Sequence, residues 1–214
     1  MSGRRIYTTL LFLALTLAAV GAPCYAWLYD GGPVGRAFAG VSDTSGTVWA
    51  TQPFQLGSDA YLTGFDAAVA RGMGSASMGY NVYLTTTLSD IVANSLGRWT
   101  IHPTGPIAAY HSVQTNAPIK LDAGVIYFLT FMPNSNNFAG SIAFSSWSGY
   151  YALGTSDYGQ TWGQMAKPLC VHVDGYFVPE PDAGAALLAG MLAMAAIRLW
   201  RRGCFASRAG AGRA

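Results

Sequence analysis

Charge is the scarcest thing in this sequence. Asp, Glu, Lys and Arg together make 10% of 214 residues, against roughly 25% in an ordinary soluble domain. Glutamate occurs once, as Glu180, and lysine twice, as Lys120 and Lys167. Such scarcity excludes a coiled coil, which needs charged flanks along its seam. Cysteine is nearly as rare, and Cys24, Cys170 and Cys204 do not make the framework of a disulfide-stapled scaffold. No HExxH, no nucleophile-elbow serine and no phosphate-binding glycine loop occurs, so those catalytic and nucleotide-binding signatures are missing. What is abundant is glycine, 26 residues, and aromatic side chains at 13%. The aromatic content excludes a disordered chain, and the pairing with glycine points to strands and turns.

The few charges are unevenly placed. Seven of the twelve basic residues lie near the ends: Arg4, Arg5, Arg198, Arg201, Arg202, Arg208 and Arg213. From Trp27 to Val178 there are five basic residues against eight aspartates, a balance of −3 under an overall charge of +2. A nucleic-acid partner is therefore not expected. Both basic ends flank apolar runs. Arg4 and Arg5 precede an uncharged stretch from Ile6 to Val20, followed by small residues through Ala26. That order predicts a signal peptide over 1–26, cut after Ala26 or after Ala22; an uncleaved anchor helix is the rival reading. At the other end, Val178-Pro179-Glu180-Pro181 precedes an apolar run from 183, which Leu199 and Trp200 extend to 200. Arg198 can snorkel, while Arg201 and Arg202 should stay cytoplasmic. The expected organisation is a signal segment 1–26, an ectodomain 27–177, and a tail 178–214 with a membrane helix at 183–200 and a basic end at 201–214.

This tail resembles a PEP-CTERM sorting signal, with Pro179, Glu180 and Pro181 matching the motif and the Arg-rich end following the apolar run. The basic end runs on to Ala214, longer than the family's usual one. The resemblance implies an exosortase as processing partner, a transient inner-membrane anchor, and delivery to the cell surface or extracellular matrix of a Gram-negative bacterium.

Period-two patterns fill the middle segment. Phe65, Ala67 and Val69 share one face; Tyr80, Val82 and Leu84 share another; Val125, Tyr127, Leu129 and Phe131 make the strongest strand, with Ile126, Phe128 and Met132 on its opposite face. Ile142 and Phe144, then Val171, Val173 and Phe177, complete the set. The expectation is an all-β fold, an antiparallel β-sandwich of jelly-roll-like form. A short helix is expected near Leu88–Leu96, capped by Ser89 or Asp90. Three local patterns resemble the choice-of-anchor domains: Gln52-Pro53-Phe54, Leu62-Thr63-Gly64-Phe65, and Leu121-Asp122-Ala123-Gly124-Val125-Ile126-Tyr127. That family implies the sandwich but no activity.

Residues Thr155, Asp157, Gly159, Thr161 and Trp162 fit an Asp-box, which resembles the hairpin turn of sialidases and other secreted β-proteins. Its expected role is structural: Asp157 accepts N–H bonds across the turn, Gly159 takes positive φ, and Trp162 packs beneath. Trp147, Tyr150, Tyr151 and Tyr158 crowd the same stretch and form a candidate glycan platform, although aromatic rings more often fill cores. His172 and Asp174 share a strand face, as a hydrogen-bonded pair or two of the three or four ligands that a metal needs; a third ligand is not visible, and no metal or other cofactor is expected. Cys170 should be a buried free thiol, or bridged to Cys24 if the cut falls after Ala22. The expected role is a non-enzymatic, structural or adhesive component of an exopolysaccharide or biofilm matrix. A carbohydrate-binding module is the alternative, and a glycan hydrolase or lyase the third reading; the latter needs paired carboxyl groups in a cleft.

Overall fold

A computed structural model of the chain describes residues 25–42, 48–147, 151–178 and 190–194. Among them, twelve strands follow one another: β1 Tyr25–Asp30, β2 Val34–Ser42, β3 Trp49–Gln55, β4 Ala60–Met73, β5 Tyr80–Thr85, β6 Gly97–Ile101, β7 Ala109–Leu121, β8 Ile126–Pro133, β9 Ala139–Ser145, β10 Leu153–Thr155, β11 Gly163–Gln164 and β12 Val171–Phe177. They form two antiparallel sheets. The first runs β1-β12-β4-β9-β2, with β7 also paired to β4; the second runs β11-β10-β3-β8-β5-β6. Strand β7 takes one edge of β4 along Ala60–Val69, and β12 and then β9 share the other.

Period-two side chains from both sheets meet in one apolar layer. Leu62, Phe65, Ala67, Val69, Ile142, Val171 and Val173 from the first sheet face Phe54, Tyr80, Val82, Leu84, Tyr127, Leu129 and Phe131 from the second. Full burial of a Leu or Phe contributes about 2 kcal/mol, so this layer is what holds the sheets together. Strand β8 is less symmetric than its sequence pattern. Met132 is buried, Phe128 is half-buried and Ile126 is exposed, because only the far end of that outer face is covered. Val125 lies just before the strand, in the turn that Gly124 opens with φ 75°.

The three choice-of-anchor-like patterns each have a physical reading. Gln52 is buried and accepts the Leu169 backbone N–H at 2.7 Å, while Phe54 fills the core. Leu62 and Phe65 both point inward although three residues apart, because the pairing registers skip Thr63 and a bulge there reverses the alternation. Leu121 is core, Val125 N–H closes a turn onto Asp122 O, and the Tyr127 hydroxyl accepts the Asp122 N–H at 2.6 Å.

The helix expected at 88–96 does not form. One turn closes from Asn94 N–H to Asp90 O, and Asp90 itself takes φ 46°, a left-handed conformation that a helix start does not use. Ile91 drives this geometry by packing with Tyr83 and Met132 on the outer face of the second sheet.

Strand β1 starts at Tyr25, two residues before the expected ectodomain boundary, and pairs Tyr25 with Tyr176 and Ala26 with Gly175. At the far end β12 stops at Phe177, and Val178 N–H bonds Asp59 O at 2.8 Å. The signal segment before Tyr25 lies outside the described residues, as do Pro179, Glu180, Pro181, Arg198, Arg201 and Arg202. Of the expected membrane helix only 190–194 is described; that stretch is helical and exposed. Among the described residues no helix is long and apolar enough to cross a membrane.

Candidate functional site

The Asp-box residues form the loop of the β10–β11 hairpin. Asp157 Oδ1 accepts the Thr155 hydroxyl at 2.6 Å and the Thr161 N–H at 2.9 Å, and Oδ2 accepts the Thr161 hydroxyl at 2.6 Å. These donors favour the charged form and hold the carboxyl down to about 2, Thr155 contributing most. Tyr158 and Gly159 take φ 59° and 80° in succession. A side chain at Gly159 would meet the Trp49 ring 2.8 Å away, so glycine is needed for both conformation and space. Trp162 donates to Gly159 O at 3.1 Å and packs with Trp49 over Tyr83, Ile91 and Met132. The Asp157 carboxylate, the Thr155 and Thr161 hydroxyls and the Trp162 indole N–H are all bonded within the turn.

The late aromatics separate in space. Tyr158 stands edge-on to Trp49, on the second sheet. Trp147 belongs with the first: its ring lies against Gly32, which has φ 81° and where a Cβ would come within 2.6 Å of the indole. Tyr151 is exposed, and Tyr150 lies outside the described residues.

A second group was only half visible in the sequence. On the outer face of the first sheet, pairing aligns side chains in rows. Ala68 sits beside Tyr110 and bonds Cys170 O; His172 and Ser112 flank Asp66; Asp174 and Gln114 flank Gly64. The small Ala68 lets Tyr110 lean across. The Tyr110 hydroxyl lies 2.9 Å from Cys170 Sγ and 3.0 Å from His172 Nε2. Cys170 Sγ also donates to Gly32 O at 3.0 Å. Strand β1 covers the other side of His172. Its register slips between Trp27 and Tyr29, so Trp27 and Asp30 both reach the outer face despite their odd spacing. Trp27 stacks on the His172 ring, with centroids 4.4 Å apart and planes at 27°. Asp30 Oδ1 accepts the Gly32 N–H at 2.7 Å and lies 2.8 Å from His172 Nδ1. The approach to Nδ1 is off the N–H direction and makes no aligned hydrogen bond, so it acts as a charge contact when the ring is protonated.

Histidine 172 thus meets Asp30 and Tyr110 rather than Asp174, its expected partner. Among the described residues no three His, Cys, Asp or Glu side chains converge to hold a metal. Cys170 is a free, fully buried thiol. Burial pushes it up, against the lowering pull of the Tyr110 hydroxyl, so it stays a neutral thiol rather than a nucleophilic thiolate. Burial likewise raises the Tyr110 hydroxyl, with the Cys170 contact adding to it. Asp174 is raised by burial and by the charge of Asp66. The sequence signal for this group was the alternation Cys170, His172, Asp174 on one strand face. What it lacked was the bulge that brings Trp27 and Asp30 together, and the reach of Tyr110 from a strand with weak apolar periodicity.

The architecture is that of a two-sheet antiparallel β-sandwich carrying a satisfied Asp-box turn on one sheet and an aromatic, acidic face on the other. No protein-family model and no curated protein matches this chain.

Proposed function

We propose that this chain is an exported surface or extracellular-matrix protein with a structural or adhesive role in an exopolysaccharide matrix. In this reading the jelly-roll-like sandwich is flanked by a signal helix and a C-terminal membrane helix, and an exosortase cuts near Pro179-Glu180-Pro181. The observation that carries it is the boundary of the compact unit, which ends at Val178. Among the described residues, Val178 makes the last backbone bond of the sandwich, to Asp59 O, and the Pro-Glu-Pro motif begins one residue later. Two prolines fix an extended segment poor in backbone donors, so cleavage there releases the domain without removing any of the described strands. The balance of −3 over Trp27–Val178 favours solubility outside the cell.

The test is intact mass of the protein recovered separately from cells and from medium. Loss of both ends, with the C-terminal cut near 179–181, is the expected result. Full-length protein found only in the cytoplasm, or unchanged localisation after deletion of 179–214, would overturn the reading.

A further inference from the structure

The outer face of the first sheet is built for contact and is only partly used. Trp27 is 55% exposed, Tyr110 44% and Trp147 52%. These rings do not flop. Trp27 is backed by His172, which is only 6% exposed and is held in turn by Tyr110 and Asp30; Trp147 is backed by Gly32, whose carbonyl holds Cys170. Rigid backing lowers the ordering cost of stacking a ligand on the free side of each ring. Polar groups adjoin them: Ser112 and Gln114 are exposed, and Asp66 and Asp174 are half-buried.

The two carboxylates are the informative part. Asp66 and Asp174 sit on neighbouring positions of adjacent strands, and like charges so placed repel. Lys120 is taken up by Asp122 at 2.7 Å and Asp59 at 3.6 Å. Among the described residues no lysine or arginine pairs with either Asp66 or Asp174. A ligand that offers a flat C–H face to the rings and a positive charge to the carboxylates relieves both features. A uronic-acid chain would be repelled.

We propose that this face, with Trp27, Tyr110 and Trp147 beside Asp66 and Asp174, binds a polysaccharide of amino sugars with free amines, the pyranose rings stacking on the aromatics and the ammonium groups pairing with the carboxylates. The proposal rests on the matrix role above and names the chemistry of the polymer. It assigns binding to the first sheet rather than to Tyr158 and the Asp-box, whose carboxylate is already taken up by Thr155 and Thr161.

The test is calorimetric titration of the full chain with glucosamine hexamer, N-acetylglucosamine hexamer, polygalacturonate and polylysine. Binding of the free-amine hexamer is expected, with the acetylated hexamer weaker on the order of tenfold, about 1.4 kcal/mol, and polygalacturonate silent. Trp27→Ala should weaken the free-amine hexamer by a similar factor. Because that change also uncovers His172, the isosteric pair Asp66→Asn and Asp174→Asn is the second probe. It removes repulsion and leaves the fold intact, yet should abolish the preference for free amines. Equal affinity for both hexamers, no effect of the Asn pair, or polylysine binding as well as the glucosamine hexamer would each overturn the proposal. Intact mass from the same cells separates the two readings: normal export and processing without glycan binding sinks this inference alone.

Discussion

The side-chain oxygen of Gln52, in the second sheet, accepts the backbone N–H of Leu169, next to the first, at 2.7 Å. The partners are 117 residues apart and both fully buried. The Gln52 amide donates to Pro53 O at 2.8 Å. A polar side chain in an apolar layer is tolerated because it satisfies backbone groups that no strand ladder reaches. Gln52→Leu, similar in volume, leaves the Leu169 N–H buried and unpaired. It should lower unfolding free energy by about 2 kcal/mol in urea titration. A change within about 0.5 kcal/mol, the range of ordinary surface substitutions, would show that the Leu169 N–H has another acceptor.

Asp157 should titrate far below an ordinary carboxyl. Its folded pKa is about 2 against a reference of 3.8. A depressed folded pKa means that the stabilisation is present above the unfolded value and is lost as pH falls from about 4 through about 2. The residue is only half-buried at the surface, so salt screens the effect and the magnitude is small. Carboxyl chemical shifts followed by NMR should place the Asp157 midpoint near 2. In Asp157→Asn the acid limb of the melting curve should flatten. A midpoint at the reference value would show that the Thr155 and Thr161 bonds do not persist in solution.

Tyr80 and Gly140 should be energetically coupled. The Tyr80 hydroxyl donates to Ala70 O at 2.8 Å; burial raises the phenol far above its usual range, although its contact with the Ser141 carbonyl opposes the shift. A Cβ on Gly140 would collide with that hydroxyl and come 2.6 Å from Ala70 O. Tyr80→Phe should cost about 1 kcal/mol for one buried hydrogen bond. Gly140→Ala should cost more, and the double variant less than the sum, because removing the hydroxyl makes room. Additive losses in chemical denaturation would contradict the contact.

Cys170 should be silent toward thiol reagents in the native protein and reactive once unfolded. It is fully buried, hydrogen-bonded to Gly32 O and in contact with Tyr110, and raised by burial. Maleimide labelling followed by mass spectrometry reads this directly. Rapid native labelling would show that the outer face opens around Tyr110.

Much of the sandwich was legible residue by residue. The alternations at Phe65–Val69, Tyr80–Leu84 and Tyr127–Phe131 all face the core, because a period of two matches the strand repeat and leaves one face to bury. Strand β7 was less legible. Its Tyr110, Ser112 and Gln114 face outward against His111, Val113 and Thr115, so the apolar contrast that announces a strand is small. The Leu88–Leu96 segment misled in the other direction: Ser89 and Asp90 are suited to capping a helix, but Ile91 has a better place on Tyr83 and Met132 than a free helix could offer.

The sequence by itself determined the alternation that makes two sheets, the turn chemistry of the Asp-box, and the scarcity of charge. Each of these is a local property, set by side-chain period, by a carboxylate two and four residues from its donors, and by composition. Only the tertiary structure decided which residues share a surface. Bulges at Thr63 and between Trp27 and Tyr29 reverse the alternation at single points, and one extra residue moves every later side chain to the other face. That is how Trp27, Asp30, Tyr110, Cys170 and His172, drawn from three separate stretches of chain, come to form one cluster.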